Sequence, residues 1–139
     1  MCDKHDLGAP GGVIFEDDLV YVGHVFGSDL SEVYLGYVMV EPKRHVAGLG
    51  ELTDPEAAAI GETVNRVSAA LRRSEGAEHI YSFVLGDAVD HLHIHVVPRY
   101  PGAPSQYWGP RVDQWPEAPR GGLADIEAVV ERIRNALTP

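Results

Sequence analysis

The alternation of histidine with branched aliphatic residues over His91-Leu92-His93-Ile94-His95-Val96-Val97 constrains this chain more than any other feature. A strand turns successive side chains to opposite faces. Residues 91–97, read as a strand, present three imidazoles on one face and Leu92, Ile94 and Val96 on the other. The aliphatic face calls for a core. The imidazole face calls for chemistry, because rings that titrate near neutrality bind metals, shuttle protons or act as nucleophiles. Spacing alone leaves open a metal site, a nucleophile held between two helpers, and a solvated face that is merely rich in histidine.

The rest of the chain supplies a sheet and two helices. Residues 13–26 read as two short strands broken at Glu16-Asp17-Asp18, a turn, with the alternation Val20, Val22, His24, Phe26 in the second. His24 is placed on a strand face. Residues 33–41 read as a further strand ended by Pro42. A helix is expected over 54–74. Thr53 and Glu56 make a capping box, Pro55 suits the first turn, and Ala57, Ile60, Val64, Val67 and Leu71 recur at helical spacing up to Gly76. Residues 79–85 read as a strand with His79 at its start, joined to the histidine strand through a tight connection at Gly86-Asp87. A terminal amphipathic helix over 123–138 aligns Ile126, Val129, Val130, Ile133 and Leu137 on one face. Strands first, one long helix among them and one at the end predict a single α+β domain over 1–139 with an antiparallel sheet.

Residues 98–122 stand apart. They are rich in Pro and Gly and hold both tryptophans, an irregular segment that Tyr107, Trp108 and Trp115 can anchor. The formal net charge of −10 argues against broad binding to nucleic acid or an anionic membrane. With Cys2 as the one cysteine, no internal disulfide forms and a reducing compartment is expected. No apolar run reaches membrane-spanning length, and the polar, Gly-rich residues 1–12 do not read as a signal peptide, so the expected location is cytoplasmic.

The segment from His91 to Val97 resembles the His-φ-His-φ-His-φ-φ signature (φ apolar) of histidine triad, or HIT, proteins, and Pro98-Arg99 follows as is common there. Gly36 to His45 (GYVMVEPKRH) resembles that family's strand ending in Pro-Lys-x-His, and the resemblance covers roughly residues 13–100. It implies a HIT-like fold and a nucleotide hydrolase or nucleotidyltransferase acting on the α-phosphate of a dinucleoside polyphosphate or a nucleoside phosphoramidate. It makes His93 the nucleophile that forms a nucleotidyl-histidine, with its other nitrogen bonded to the His91 carbonyl. His95 then contacts phosphate oxygens. It also implies a homodimer and no catalytic metal.

The same resemblance implies structural zinc on Cys2, His5, His45 and His91, with His5 standing where relatives carry a second cysteine. The chain departs from the family pattern elsewhere. Gly86-Asp87-Ala88-Val89 replaces a Gly-Gln-Ser/Thr-Val run that serves phosphate, and Tyr37 stands where many members have a histidine close to the substrate. Replacement contacts to substrate are sought in Tyr37 and in the 98–122 segment: Ser105, Gln106, Tyr107, Trp108 and Arg111. The aromatic pair among them serves packing equally well. Two rival readings use the same residues: a nucleotide-binding or regulatory protein with weak or no catalysis, and a catalytic metal held by the three histidines.

Overall fold

A computed structural model describes residues 11–27, 31–87 and 90–137. In chain order the elements are β1 (Val13–Glu16), β2 (Val20–His24), β3 (Val33–Tyr34), β4 (Val38–Pro42), α1 (Asp54–Glu75), β5 (His79–Phe83), β6 (Ile94–Arg99), β7 (Arg120–Gly121) and α2 (Leu123–Leu137). Among the described residues, one antiparallel sheet runs β1-β2-β4-β6-β5, and β3 pairs separately with β7. The α+β architecture is the expected one. No helix among the described residues is long and apolar enough to cross a membrane.

Strand alternation sorts the sheet into two faces. Val20, Val22, Val38, Val40, Ile94 and Val96 point to one side and are almost fully buried beneath Ile60, Val67 and Leu71 of α1 and Ile126, Val129, Val130 and Ile133 of α2. Burying each such side chain is worth about 1.5–3 kcal/mol. Arg132 of α2 grips the Glu75 carboxylate with two nitrogens at 2.8 and 3.0 Å, locking the helices together. The other face is covered by the segment after β6. Val112, Trp115 and Ala118 pack with Tyr34 and Val97 into a second, smaller core. The irregular 98–122 segment therefore folds back over its own sheet.

Three expectations for the strands change. The single strand over 33–41 is two strands, because the chain turns at Gly36. Gly36 has φ +88, and a Cβ there would sit 2.7 Å from the Tyr100 hydroxyl and 2.8 Å from Pro98 Cγ, so glycine is required. The Gly36 N–H donates to His24 Nε2 at 2.8 Å, while His24 Nδ1 lies 2.7 Å from the Val25 carbonyl. His24 is thus a buried, neutral staple of the turn, its pKa lowered chiefly by that burial. The histidine strand begins at Ile94 and continues through Pro98 to Arg99, where only β5 runs beside it. The link from β5 to β6 spans residues 84–93 and is no tight hairpin, since β5 already ends at Phe83.

Helix α1 starts as its sequence dictates. Thr53 Oγ1 accepts from Glu56 N–H, and Glu56 accepts from Thr53 N–H at 2.8 Å. Glu56 also receives two bonds from Arg44, at 2.8 and 2.9 Å, which ties the connection after β4 to the helix. The side-chain bond from Arg44, reinforced by the Thr53 N–H, lowers the Glu56 pKa from 4.5 to about 2. Its stabilisation is therefore complete above pH 4.5 and lost as pH falls towards 2. Thr53→Ala is expected to cost about 1 kcal/mol in urea unfolding at pH 7. Glu56→Ala should cost more, with its deficit shrinking between pH 4.5 and 2; equal deficits at pH 7 and at pH 2 contradict this.

Candidate active site

The imidazole face of the sheet lies opposite the helices. Met39 pairs with His95 across β4 and β6. The His95 ring stacks on Phe83 of β5, centroids 4.9 Å apart and planes within 4°. Tyr37 Oη lies 2.8 Å from His95 Nδ1. Burial first, and the Asp113 carboxylate second, push the Tyr37 pKa up to about 12, so its hydroxyl stays protonated. With the hydroxyl donating to Nδ1, the proton of a neutral His95 sits on Nε2, the nitrogen away from Tyr37. His95 is held neutral at pH 7 because burial lowers its pKa.

His95 lines a cleft of about 340 Å³ with Tyr34, Tyr37, Met39, Val25, Val33, Glu32, Asp113 and Arg120. This size lies within the range of small-molecule sites. Arg120 is held over it by the carbonyls of Asp113 and Trp115. Sequence reasoning found Tyr37 and His95 but missed Tyr34, Glu32, Asp113 and Arg120, which come together only when the 98–122 segment closes on β3. Ser105, Gln106 and Trp108 do not line this cleft. Ser105 and Gln106 are exposed in a short 3-10 turn. Trp108 is half exposed and packs its ring against the Arg99 guanidinium, 3.8 Å from the ring centroid. Tyr107 packs at the edge of the second core, and Arg111 bonds the Gln106 carbonyl.

His93 sits one step before β6. Its side chain is 12% exposed, and Nε2 lies 3.1 Å from Oε2 of Glu41, a carboxylate 1% exposed. At this distance the two atoms are out of line for a hydrogen bond with each other. Where the resemblance implies the His91 carbonyl as partner of this ring, the observed neighbour is Glu41. Glu41 is a further residue that sequence reasoning missed. Its signal was available: on an alternating strand, Met39 and Glu41 share the face opposite Val38 and Val40.

His91 is fully buried beside this pair, its ring 5.5 Å from that of His93. Its Nε2 lies 3.1 Å from the Pro42 carbonyl, an acceptor that places the ring proton there and leaves a lone pair on Nδ1. That Nδ1 is 3.2 Å from His45 Nδ1. Two ligand nitrogens about 2.0–2.1 Å from a tetrahedral zinc stand at about this separation. The carbonyl on the far ring nitrogen is the usual support for a metal-binding histidine. Burial lowers the His91 pKa, which also favours the neutral, ligating form. His45 and His91 therefore fit half of a zinc shell. Cys2 and His5 lie outside the described residues, as do Ala88 and Val89. Among the described residues no group of three His, Cys, Asp or Glu converges.

Residues 7–102 match the HIT domain family model. Among curated relatives, the nitrilase and fragile histidine triad fusion protein NitFhit of Caenorhabditis elegans is 32% identical over 105 residues, covering 66% of this chain and 24% of that protein. The chain thus spans about a quarter of that relative. Adenosine 5'-monophosphoramidase hnt1 of Schizosaccharomyces pombe is 30% identical over 115 residues, 78% of each protein. Among solved structures, a Zn-bound histidine triad family protein from Mycobacterium smegmatis superposes with a TM-score of 0.68 at 23% identity, covering 98% of this chain and 90% of that one. That likeness speaks for the fold.

Because its folded-state pKa is lowered, neutral His95 contributes stability that is intact above about pH 6.5 and lost as pH falls below it. The ring resonances of His95 are expected to titrate below pH 6.5 in NMR spectra. A midpoint above that value contradicts the buried, neutral ring.

Proposed function

The chain belongs to the HIT family, and on that premise we propose that it is a nucleotide hydrolase or nucleotidyltransferase acting on the α-phosphate of a dinucleoside polyphosphate or nucleoside phosphoramidate. The observation that carries this reading is His95 opening on the cleft from β6, with the His93 ring two residues before it set against Glu41 of β4, the strand that also carries Met39 opposite His95. His93 is the nucleophile. Its ring forms a bond to phosphorus and expels the leaving group, and water then releases the nucleotide and restores the ring. His95, with its proton on Nε2, donates to a phosphate oxygen and offsets the charge that gathers there. Tyr37 fixes that tautomer.

The cleft lining favours the nucleoside end of a substrate. Glu32 and Asp113 are acceptors suited to hydroxyl and amino groups, whereas Arg120 is the cation lining it. The phosphates would then lie towards His93 and His95. Asp87, in the place of a phosphate-serving residue of relatives, is not among the groups lining this cleft. Carboxylates on two sides make polyphosphate binding weaker than in a basic pocket, which also supports the second reading, a nucleotide-binding protein with slow turnover.

Zinc on Cys2, His5, His45 and His91 belongs to this reading as a structural ion. When bound it supplies a cross-link between the residues after β4 and those before β6. His91 would carry the consequence, since its ring leans on His93 and its Nε2 is already committed to Pro42. A homodimer is also part of the proposal. β5 is an outer strand, and Val84 and Leu85 just beyond it are exposed.

Incubation of the full chain with a diadenosine polyphosphate and rapid denaturing quench at alkaline pH, where the phosphorus–nitrogen bond survives, is expected to give an adenylate adduct on His93 by mass spectrometry. His93→Ala should abolish it, and His95→Ala should slow its formation by about 100-fold. Nucleotide bound without any adduct or product establishes the second reading instead.

A further inference from the structure

The cleft beside His95 is closed by chain that lies beyond residue 102, where the match to the family ends. In that chain a 3-10 turn over Val112–Gln114 carries Asp113. Val112 on one side of it and Trp115 on the other are buried in the second core, against Tyr34 and Val97. Asp113 itself is half-buried and lines the cleft. Packing before and after it thus presents this one side chain to the cavity.

The Asp113 carboxylate is uncommitted. Arg120, the cation on the cleft, donates to the main-chain carbonyls of Asp113 and Trp115 and not to that carboxylate. Tyr34 gives its hydroxyl proton to the Pro98 carbonyl, and Tyr37 has its hydroxyl on His95. Among the described residues the carboxylate takes no hydrogen bond and no ion pair. Its charge is nevertheless felt across the cleft. Burial first and Asp113 next raise the pKa of both Tyr34 and Tyr37, and at His95, where burial and then the His93 ring lower the pKa, Asp113 pulls the other way. An ionised carboxylate can only accept. Partly out of water and with no donor from the protein, it suits a donor that a ligand brings. Glu32, the other acid on the cleft, is exposed and keeps its water.

We propose that Asp113 is a specificity-determining residue that receives the two vicinal hydroxyls of a ribose, so that the cleft takes ribonucleotides ahead of nucleotides lacking those hydroxyls. The inference rests on the reading of the histidine face as the phosphate end of a nucleotide. With the phosphate at His95, the sugar follows next along the molecule and the base lies farther out. Two neighbouring hydroxyls match the two oxygens of one carboxylate, each giving a charge-assisted hydrogen bond. A sugar without them leaves the Asp113 charge unanswered among side chains whose own donors are engaged elsewhere.

The test compares adenosine monophosphate with its 2′,3′-dideoxy analogue on the full chain, by calorimetry and by the shift of the His95 ring resonances at pH 8. The ribonucleotide is expected to bind about ten-fold more tightly or better. In Asp113→Ala, which keeps the main-chain carbonyl that holds Arg120, that ratio should fall to within about two-fold. It should fall because the ribonucleotide binds more weakly while the dideoxy form binds no less well, since a negative charge near its phosphate has been removed. Asp113→Asn, which keeps one acceptor oxygen in the same volume, should retain part of the ratio. Equal affinity for the two nucleotides in the unmodified chain overturns the proposal. So does a ratio unchanged in Asp113→Ala, or an equal loss for both nucleotides, which marks a merely structural role. If the ratio collapses as expected but a diadenosine polyphosphate gives no adduct on His93, the role of Asp113 stands and the nucleotidyl-transfer reading fails. If the ribonucleotide leaves the His95 ring unmoved, both fall.

Discussion

Three paired positions between β4 and β6 set the geometry on which the site depends. Val38 meets Val96, Met39 meets His95, and Val40 meets Ile94. A slip of one residue would turn every side chain of β6 to the other face, putting imidazoles into the helix-covered core and Ile94 and Val96 into the cleft. Burying a histidine among Val67, Leu71 and Val130 is prohibitive, so the register is fixed by the same aliphatic residues that build the core. Histidine positions on one face are thus secured by hydrophobic burial on the other.

The second face is finished by chain that follows β6. Trp115, Val112 and Ala118 seal it against Tyr34 and Val97, and the seal brings Arg120 and Asp113 to the cleft beside His95. The Gly36 turn is part of the same construction. It lets β3 leave the main sheet to pair with β7, and it puts Tyr37 where its hydroxyl reaches His95. His24, buried and neutral, holds that turn from below. A glycine that no side chain can replace and a histidine with no catalytic work therefore place one hydroxyl.

What the sequence made legible follows from how local each signal is. The capping box of Thr53 and Glu56 and the Ile60, Val67 and Leu71 positions of the α1 stripe depend on neighbours in the chain and are present as read, whereas the histidine alternation is strand only from Ile94 onward. The break at Gly36 was hidden because it answers to Tyr100 and Pro98, more than sixty residues away in sequence. Glu41 was hidden for a related reason. Its face could be read from alternation, but its partner could not, since that required the register of two strands separated by α1 and β5. Ser105, Gln106 and Trp108 drew notice by residue type. The structure leaves the first two in an exposed turn and gives the third to Arg99.

The account turns on the imidazole face being where a nucleotide lies. A crystal structure of the full chain with adenosine monophosphate is the most direct measurement. The phosphate is expected within hydrogen-bond distance of His95 Nε2 and beside the His93 ring, with the nucleoside in the cleft under Arg120 and Tyr34. Nucleotide found instead in the apolar groove between Phe15, Val67 and Leu137 on the helix side, with the histidine face empty, would contradict it.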